Sequence, residues 1–311
     1  MSILIATDFT ADEWAEWLPA LSRALPQETL LRERGDVAPE GIDIAIVANP
    51  PSGALAGMPN LKLVQSLWAG VERLLADPTV PIDVPLARMV DPAMNVAMAE
   101  TALWAVLSLQ RDFFDYAQHQ REARWAPHGQ RAASAVAVTV LGLGQMGRTV
   151  ALRLVHNGYR VTGWSTRAAS IPGVRTLAGE ADLPAALADA QVLVNLLPLT
   201  PATRGLIDAR LLALLPRGAS VVNLARGAHV VEADLLAALA SGHIRHAVLD
   251  VFATEPLPAA HPFWAHARVT VLPHVAAQTD ARSASALVAT NISALREGRP
   301  LQHLVDRSRA Y

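Results

Sequence analysis

The chain contains no cysteine, which excludes disulfides, thiolate metal ligands and a cysteine nucleophile while leaving the compartment open. Charge is scarce too. Charged residues make up 17% of the 311 positions, and the formal net charge is −2. No overall basic field points to nucleic acid or to an anionic membrane surface. Aromatic residues reach only 5%, but apolar residues as a whole reach 52%, a balance that suits large aliphatic cores and argues against disorder. No apolar run approaches the roughly 18 residues of a membrane span. The first residues, MSILIATDFTADE, lack a basic segment and meet Asp8 too early for a secretory signal. The expectation is a cytoplasmic protein with no membrane or nucleic-acid partner. Spaced His, Asp and Glu ligands are also missing from the pattern, so no metal is expected.

What is present is alternation. Short β-rich runs exchange with longer helical patterns along nearly the whole chain, the mark of parallel α/β architecture. SILIATD, IDIAIVANP and LKLVQSLWAG read as strands, with ADEWAEWLPALSRAL as a helix between the first two. One long helix is expected from about Asn95 to Gln120. After the loop RWAPHGQRAAS comes a second series of apolar strands, AVAVTVLGLG, RVTGW, QVLVNLL, ASVVNLA, AVLDV and RVTVLP, with helices between most of them. Strands with so little polar alternation suit a sheet covered on both faces. From Ala276 onward the pattern is helical again.

Gly142, Gly144 and Gly147 stand between a predicted strand and a predicted helix, as G-x-G-x-x-G. The first glycine permits a tight turn, the second lets a pyrophosphate approach the backbone, and the third allows close helix–strand packing. Phosphates would sit over the N–H groups of the helix that begins near Gln145 and Met146. A further absence then matters. The next strand should end on an Asp or Glu that holds the ribose hydroxyls of NAD, yet Trp164, Ser165, Thr166 and Arg167 occupy that place. An acid at Ser165 would repel a 2′-phosphate, whereas a hydroxyl leaves room for it and Arg167 can make a charge-assisted contact. The residues therefore favour NADP(H), with NAD(H) left open.

Three later segments, VVNLARGAHVVEADLLAAL, AVLDVFATEPLP and VTVLPHVAAQT, each put a polar residue just after a predicted strand. Ligands bind at that edge of open parallel sheets. GLGQMG by itself is similar to β-hydroxyacid dehydrogenases, but there the motif lies at the extreme N-terminus. A cofactor unit that opens in mid-chain, with these three segments after it, resembles the D-2-hydroxyacid dehydrogenase family. The wording LWAGVE, GWSTR, LPHVAAQT and the C-terminal VDRSRAY is most similar to the bacterial glyoxylate/hydroxypyruvate reductases of the A type.

The resemblance implies an α/β chain with two doubly wound parallel-sheet domains, Rossmann and flavodoxin-like. A cofactor domain, residues 96–276, would be inserted into a substrate domain built from 1–95 and 277–311. It implies Arg226, Glu255 and His274 as the catalytic set. A guanidinium fork can hold a keto acid's carboxylate and polarise its keto oxygen. His274 would supply the proton, and a carboxylate beside it would favour the imidazolium.

Further cofactor contacts implied are Leu197, Pro198 and Thr203 of NLLPLTPATRG, Leu224 and Ala225, His274 and Ala276, and Asp250 toward the nicotinamide amide. A buried strand-end aspartate is the other reading of Asp250. The backbone N–H groups of Ala69, Gly70 and Val71 would take the substrate carboxylate, and Trp68 would cap the pocket or belong to the core. Trp125 would reach toward a substrate pocket, and the chain would pair as a homodimer through its cofactor domains. An NAD-linked D-2-hydroxyacid dehydrogenase for another substrate, and a dinucleotide-sensing binding protein on the same fold, are the alternatives.

Overall fold

The computed structural model describes residues 1–307; the last four residues of VDRSRAY lie outside the described residues. The chain forms two compact units. One is Met1–Met94 together with the segment from Thr279, and the other is Asn95–Gln278.

The first unit holds β1 (Ser2–Thr7), α1 (Ala11–Ala24), β2 (Thr29–Leu31), β3 (Ile42–Ala48), β4 (Leu63–Ser66), α2 (Glu72–Ala76) and β5 (Leu86–Ala87). Its parallel sheet has the order β2-β1-β3-β4-β5, the flavodoxin-like arrangement. Thr10 and Glu13 start α1 as a reciprocal capping box. All seven residues of β3 are buried, which explains its continuous apolar run. Asp43 is the polar one among them, and Arg296 pairs with it and with Glu28.

α3 (Pro92–Gln110) leads into the second unit, where α4 (Phe113–Arg121), β6 (Ala137–Leu141), α5 (Gln145–His156), β7 (Arg160–Ser165), β8 (Val174–Ala178) and α6 (Leu183–Leu187) follow. Next come β9 (Val192–Asn195), α7 (Ala209–Leu214), β10 (Ala219–Asn223), α8 (Glu232–Ala240), β11 (Ile244–Leu249) and β12 (Val269–Val271). The seven strands run parallel in the order β12-β11-β10-β9-β6-β7-β8. Strand order therefore reverses between β6 and β9, the switch point where such sheets bind ligands. Aliphatic clusters cover both faces, one with Leu193, Val221 and Ala247, the other with Val138, Val194 and Val248. The chain then returns to the first unit as α9 (Ala281–Arg296). There Asn291 donates to Gln65 across 2.8 Å.

The structure corrects several sequence expectations. The helix expected over 95–120 is two helices, because Asp112 adopts a left-handed backbone, φ +57°, between them. The Asp112 carboxylate is held there by the Arg245 guanidinium at 2.6 Å. Strands β2, β5 and β8 were not anticipated. Two of them span three residues or fewer, and β8 is a half-buried edge without a continuous apolar run. The helical pattern after 276 begins only at Ala281, where the Asp280 side chain caps the first turn.

By length and composition alone α3 is long and apolar enough to cross a membrane. Its Met98, Ala99, Ala102, Ala105, Val106 and Leu109 are built into the core against β6, however. A helix that is a wall of a globular domain passes the same test.

Candidate active site

The site begins at the switch point, from β6. Gly142 has φ +93°, and a Cβ there would lie 2.6 Å from the Leu196 carbonyl oxygen in the loop after β9. At Gly147 the added atom would lie 1.7 Å from the Gly142 oxygen, so both glycines are required by close backbone approach. Gly144 differs. It is the N-cap of α5, it is exposed, and nothing lies within 4 Å of where its side chain would start. The helix terminus thus opens onto free space, with Gln145 exposed beside it and Met146 half-buried. This shape fits a pyrophosphate laid on a helix N-terminus.

At the end of β7 Trp164 is core: it is buried, and its indole N–H donates to Gly179 at 2.9 Å. The next two side chains lie in one turn, where the Ser165 hydroxyl donates to the Arg167 carbonyl at 2.6 Å. Arg167 itself is exposed. Leu197 and Thr203 are buried in the loop after β9, and the Thr203 hydroxyl donates to the Pro198 carbonyl at 2.7 Å.

Arg226, Glu255 and His274 follow three adjacent strands, β10, β11 and β12. Behind Arg226 the chain passes Gly227, where a Cβ would lie 1.8 Å from the Phe252 carbonyl carbon. Only glycine lets the arginine turn press that closely on the loop that carries Glu255. The Arg226 guanidinium donates to the Ala225 carbonyl at 2.7 Å, and Leu224 and Ala225 are buried. One Glu255 oxygen accepts from the Phe252 N–H at 2.8 Å, and the other meets His274 Nδ1 at 2.7 Å.

His274 has a left-handed backbone, φ +56°, an uncommon state for a non-glycine residue. Asp250 maintains it. Its carbonyl accepts the His274 N–H at 2.9 Å, and its carboxylate accepts from Val275 at 2.7 Å and Ala276 at 3.1 Å. Asp250 is 1% exposed, so these bonds favour the reading of a buried strand-end aspartate that shapes the turn. Burial raises its pKa, and the two N–H bonds oppose the rise.

The electrostatics favour the protonated form of His274. The Glu255 bond, aided by the Glu255 and Asp250 charges, lifts His274 above the ordinary histidine value against partial burial and Arg226. Burial alone would raise Glu255. The His274 and Phe252 hydrogen bonds, with the His274 and Arg226 charges, together bring it below the usual carboxylate range. Because Glu255 occupies Nδ1, Nε2 is the nitrogen left to serve a ligand.

In the first unit the Leu67–Val71 turn follows β4. The Ser66 hydroxyl accepts the Trp68 N–H at 3.0 Å, and Trp68 stands edge-on to Phe9 and Trp17. Trp68 is half-buried in these contacts. Ala69 and Gly70 are half-buried and Val71 is buried. Trp125 is 96% exposed.

Two groupings escaped the sequence reading. Asp112, Asp115 and His128 come close enough to hold a cation, although the Arg245 guanidinium already reaches both carboxylates. Asn195, Asn223 and His229 are each completely buried and bonded together behind Arg226. The signal available for them was an asparagine at the end of each of two apolar strands.

Residues 103–276 match the model of the D-isomer specific 2-hydroxyacid dehydrogenase, NAD binding domain. Two curated relatives are named glyoxylate/hydroxypyruvate reductase A. The one from Yersinia enterocolitica is 40% identical over 305 residues, covering 96% of this chain and 97% of that protein. The one from Serratia proteamaculans is 43% identical over 297 residues, with 94% of each covered. Among solved structures, the NADPH-dependent glyoxylate/hydroxypyruvate reductase of Sinorhizobium meliloti, in complex with NADP and sulfate, is 35% identical. Its TM-score is 0.93 with 100% of both chains covered. A D-isomer specific 2-hydroxyacid dehydrogenase from Xanthobacter autotrophicus, in complex with NADPH and MES, is 42% identical. It aligns with a TM-score of 0.94 over 100% of this chain and 99% of that one.

Proposed function

The chain belongs to the D-isomer specific 2-hydroxyacid dehydrogenase family, and from that premise we propose that it reduces small 2-keto acids with NADPH. Glyoxylate would give glycolate, and hydroxypyruvate would give D-glycerate. The observation that carries the reading is the 2.7 Å contact between His274 Nδ1 and Glu255, at a sheet edge that also bears Arg226.

The glycine turn fits the cofactor: Gly142, Gly144 and Gly147 would admit the pyrophosphate, with the walls formed by Leu197, Pro198 and Thr203. When bound, NADPH supplies a hydride to the keto carbon. Arg226 holds the keto acid's carboxylate and polarises the keto oxygen, where negative charge develops. The protonated Nε2 of His274 gives its proton to that oxygen, so the hydroxyl forms as the carbonyl π bond breaks. Glu255 stabilises the imidazolium and keeps the ring oriented. Steady-state NADPH oxidation with glyoxylate and hydroxypyruvate, repeated with NADH, tests the reading. No turnover across a panel of small 2-keto acids would sink it.

The pH profile carries a second test. Reduction needs the imidazolium, so kcat/KM should be highest below the raised His274 pKa and fall as pH rises through it. Glu255→Gln removes the carboxylate charge and weakens the hydrogen bond that is the largest cause of the rise, so the alkaline limb should move to lower pH. A limb that stays put would remove Glu255 from the proton path.

Cofactor choice rests on the 164–167 turn. A charge-assisted contact from Arg167 to a 2′-phosphate is worth about 1.5–3 kcal/mol, roughly ten- to hundredfold. Ser165→Asp with Arg167→Ala should cost NADPH that much in kcat/KM and leave NADH within about threefold. Equal losses with both cofactors would refute the assignment.

Pairing as a homodimer is supported by α3 and the residue after α4's cap, where Val96, Trp104, Leu107 and Phe113 are large, apolar and exposed. Exposed apolar surface of this kind marks interaction sites. Trp104→Glu with Leu107→Glu should convert a sedimenting dimer to monomer at micromolar protein. A wild-type monomer, or a variant that remains dimeric, would rule out this face.

A further inference from the structure

Behind the proposed substrate arginine lies a group of three polar side chains with no exposure at all: Asn195, Asn223 and His229. Their bonds close on one another. The Asn195 amide nitrogen donates to Asn223 Oδ1 at 2.9 Å and meets His229 Nδ1 at 2.9 Å. An amide NH2 can only donate, so Nδ1 accepts, and the proton of the neutral ring sits on Nε2. Nε2 lies 3.2 Å from the Pro198 carbonyl oxygen, which it can therefore serve as donor. The Asn195 Oδ1 accepts the Leu197 N–H at 3.3 Å. Asn223 Oδ1 also accepts the Ala225 N–H at 3.3 Å, and its amide donates to the Arg226 carbonyl at 3.0 Å.

Leu197 and Pro198 belong to the loop assigned to the cofactor wall, and Arg226 is the residue assigned to the keto acid. The trio thus joins the backbones of the two binding elements through side chains that are wholly buried. A complete set of buried polar bonds gives one arrangement and penalises its neighbours, because each broken bond leaves a buried group unsatisfied.

We propose that Asn195, Asn223 and His229 form a positioning unit that sets the cofactor-wall loop and Arg226 in register, so that disturbing it weakens NADPH binding and keto-acid turnover together. Asn195 joins the other two members, and His229 extends the unit from Asn195 to the Pro198 carbonyl. The proposal rests on the functional reading above for its turnover half, while the NADPH half needs no catalysis.

His229→Leu removes both ring bonds, and His229→Gln offers an acceptor and a donor on one side chain. Purified variants would be compared with wild type for NADPH affinity by fluorescence titration, for kcat and KM with glyoxylate, and for far-UV circular dichroism. The expected result is a folded His229→Leu protein in which NADPH affinity and kcat/KM each fall about tenfold or more, with His229→Gln recovering most of both. If His229→Leu does not fold, His229→Asn, which is too short to reach both partners, should show intermediate losses in both parameters. A folded His229→Leu protein, or a folded His229→Asn protein where that one is used instead, with either parameter within about twofold of wild type overturns the coupling. A wild type that binds NADPH but reduces no keto acid overturns the functional reading instead, and the affinity comparison still decides the positioning role.

Discussion

His274→Asn should lower kcat for glyoxylate reduction by about 10²–10⁴, the usual contribution of a positioned general acid, while NADPH affinity stays within about twofold. Asparagine is the informative replacement. His274 sits at φ +56°, a region where Asn is enriched among non-glycine residues and most others are strained. Alanine would mix the loss of the ring with strain in the turn. Asparagine keeps the backbone bonds from 274, 275 and 276 to Asp250 and removes only the titrating group. Steady-state kinetics with a fluorescence titration of NADPH separate the two quantities. A His274→Asn protein that retains more than about a tenth of wild-type kcat would show that the proton comes from elsewhere, and Glu255 would lose its assigned role with it.

How much of this was visible in the residues depends on the kind of signal. The G-x-G-x-x-G turn could be read from local chemistry, since each glycine answers a separate steric demand, and Gly142 and Gly147 meet backbone atoms that only a missing Cβ allows. The fully buried strands of both sheets could be read from their unbroken aliphatic runs. Arg226, Glu255 and His274 could be placed after strands, but their adjacency in space follows from the neighbouring positions of β10, β11 and β12, which no local pattern encodes. Gly227 was passed over for the same reason: the atom it must avoid belongs to Phe252, twenty-five residues later. The break between α3 and α4 was hidden because Asp112 is stabilised by Arg245, a partner far along the chain. No local pattern marks His229, since its burial and its bond to Asn195 are tertiary properties. Asp250 could be read from sequence as a ligand contact or as a buried strand-end aspartate, and its bonds to the turn around His274 became visible only in three dimensions.

Arg226→Gln should reduce kcat/KM for glyoxylate by about 10²–10⁴, and this loss would have a different signature from that at His274. Each charge-assisted bond to a carboxylate or keto oxygen is worth about 1.5–3 kcal/mol, and the guanidinium fork can make two at once. Arg226→Lys keeps the charge without the fork and should fall between glutamine and wild type. The same substitution bears on the proton donor. The Arg226 charge opposes protonation of His274, while Glu255 favours it. Arg226→Gln should therefore move the alkaline limb of the residual activity to higher pH, and Glu255→Gln should move it to lower pH. Opposite displacements by two neutralising changes are the mark of one titrating group placed between an acid and a base. If both variants displace the limb in the same direction, or neither does, the limb does not report His274, and the assignment of that histidine as the proton donor falls even if both variants are slow.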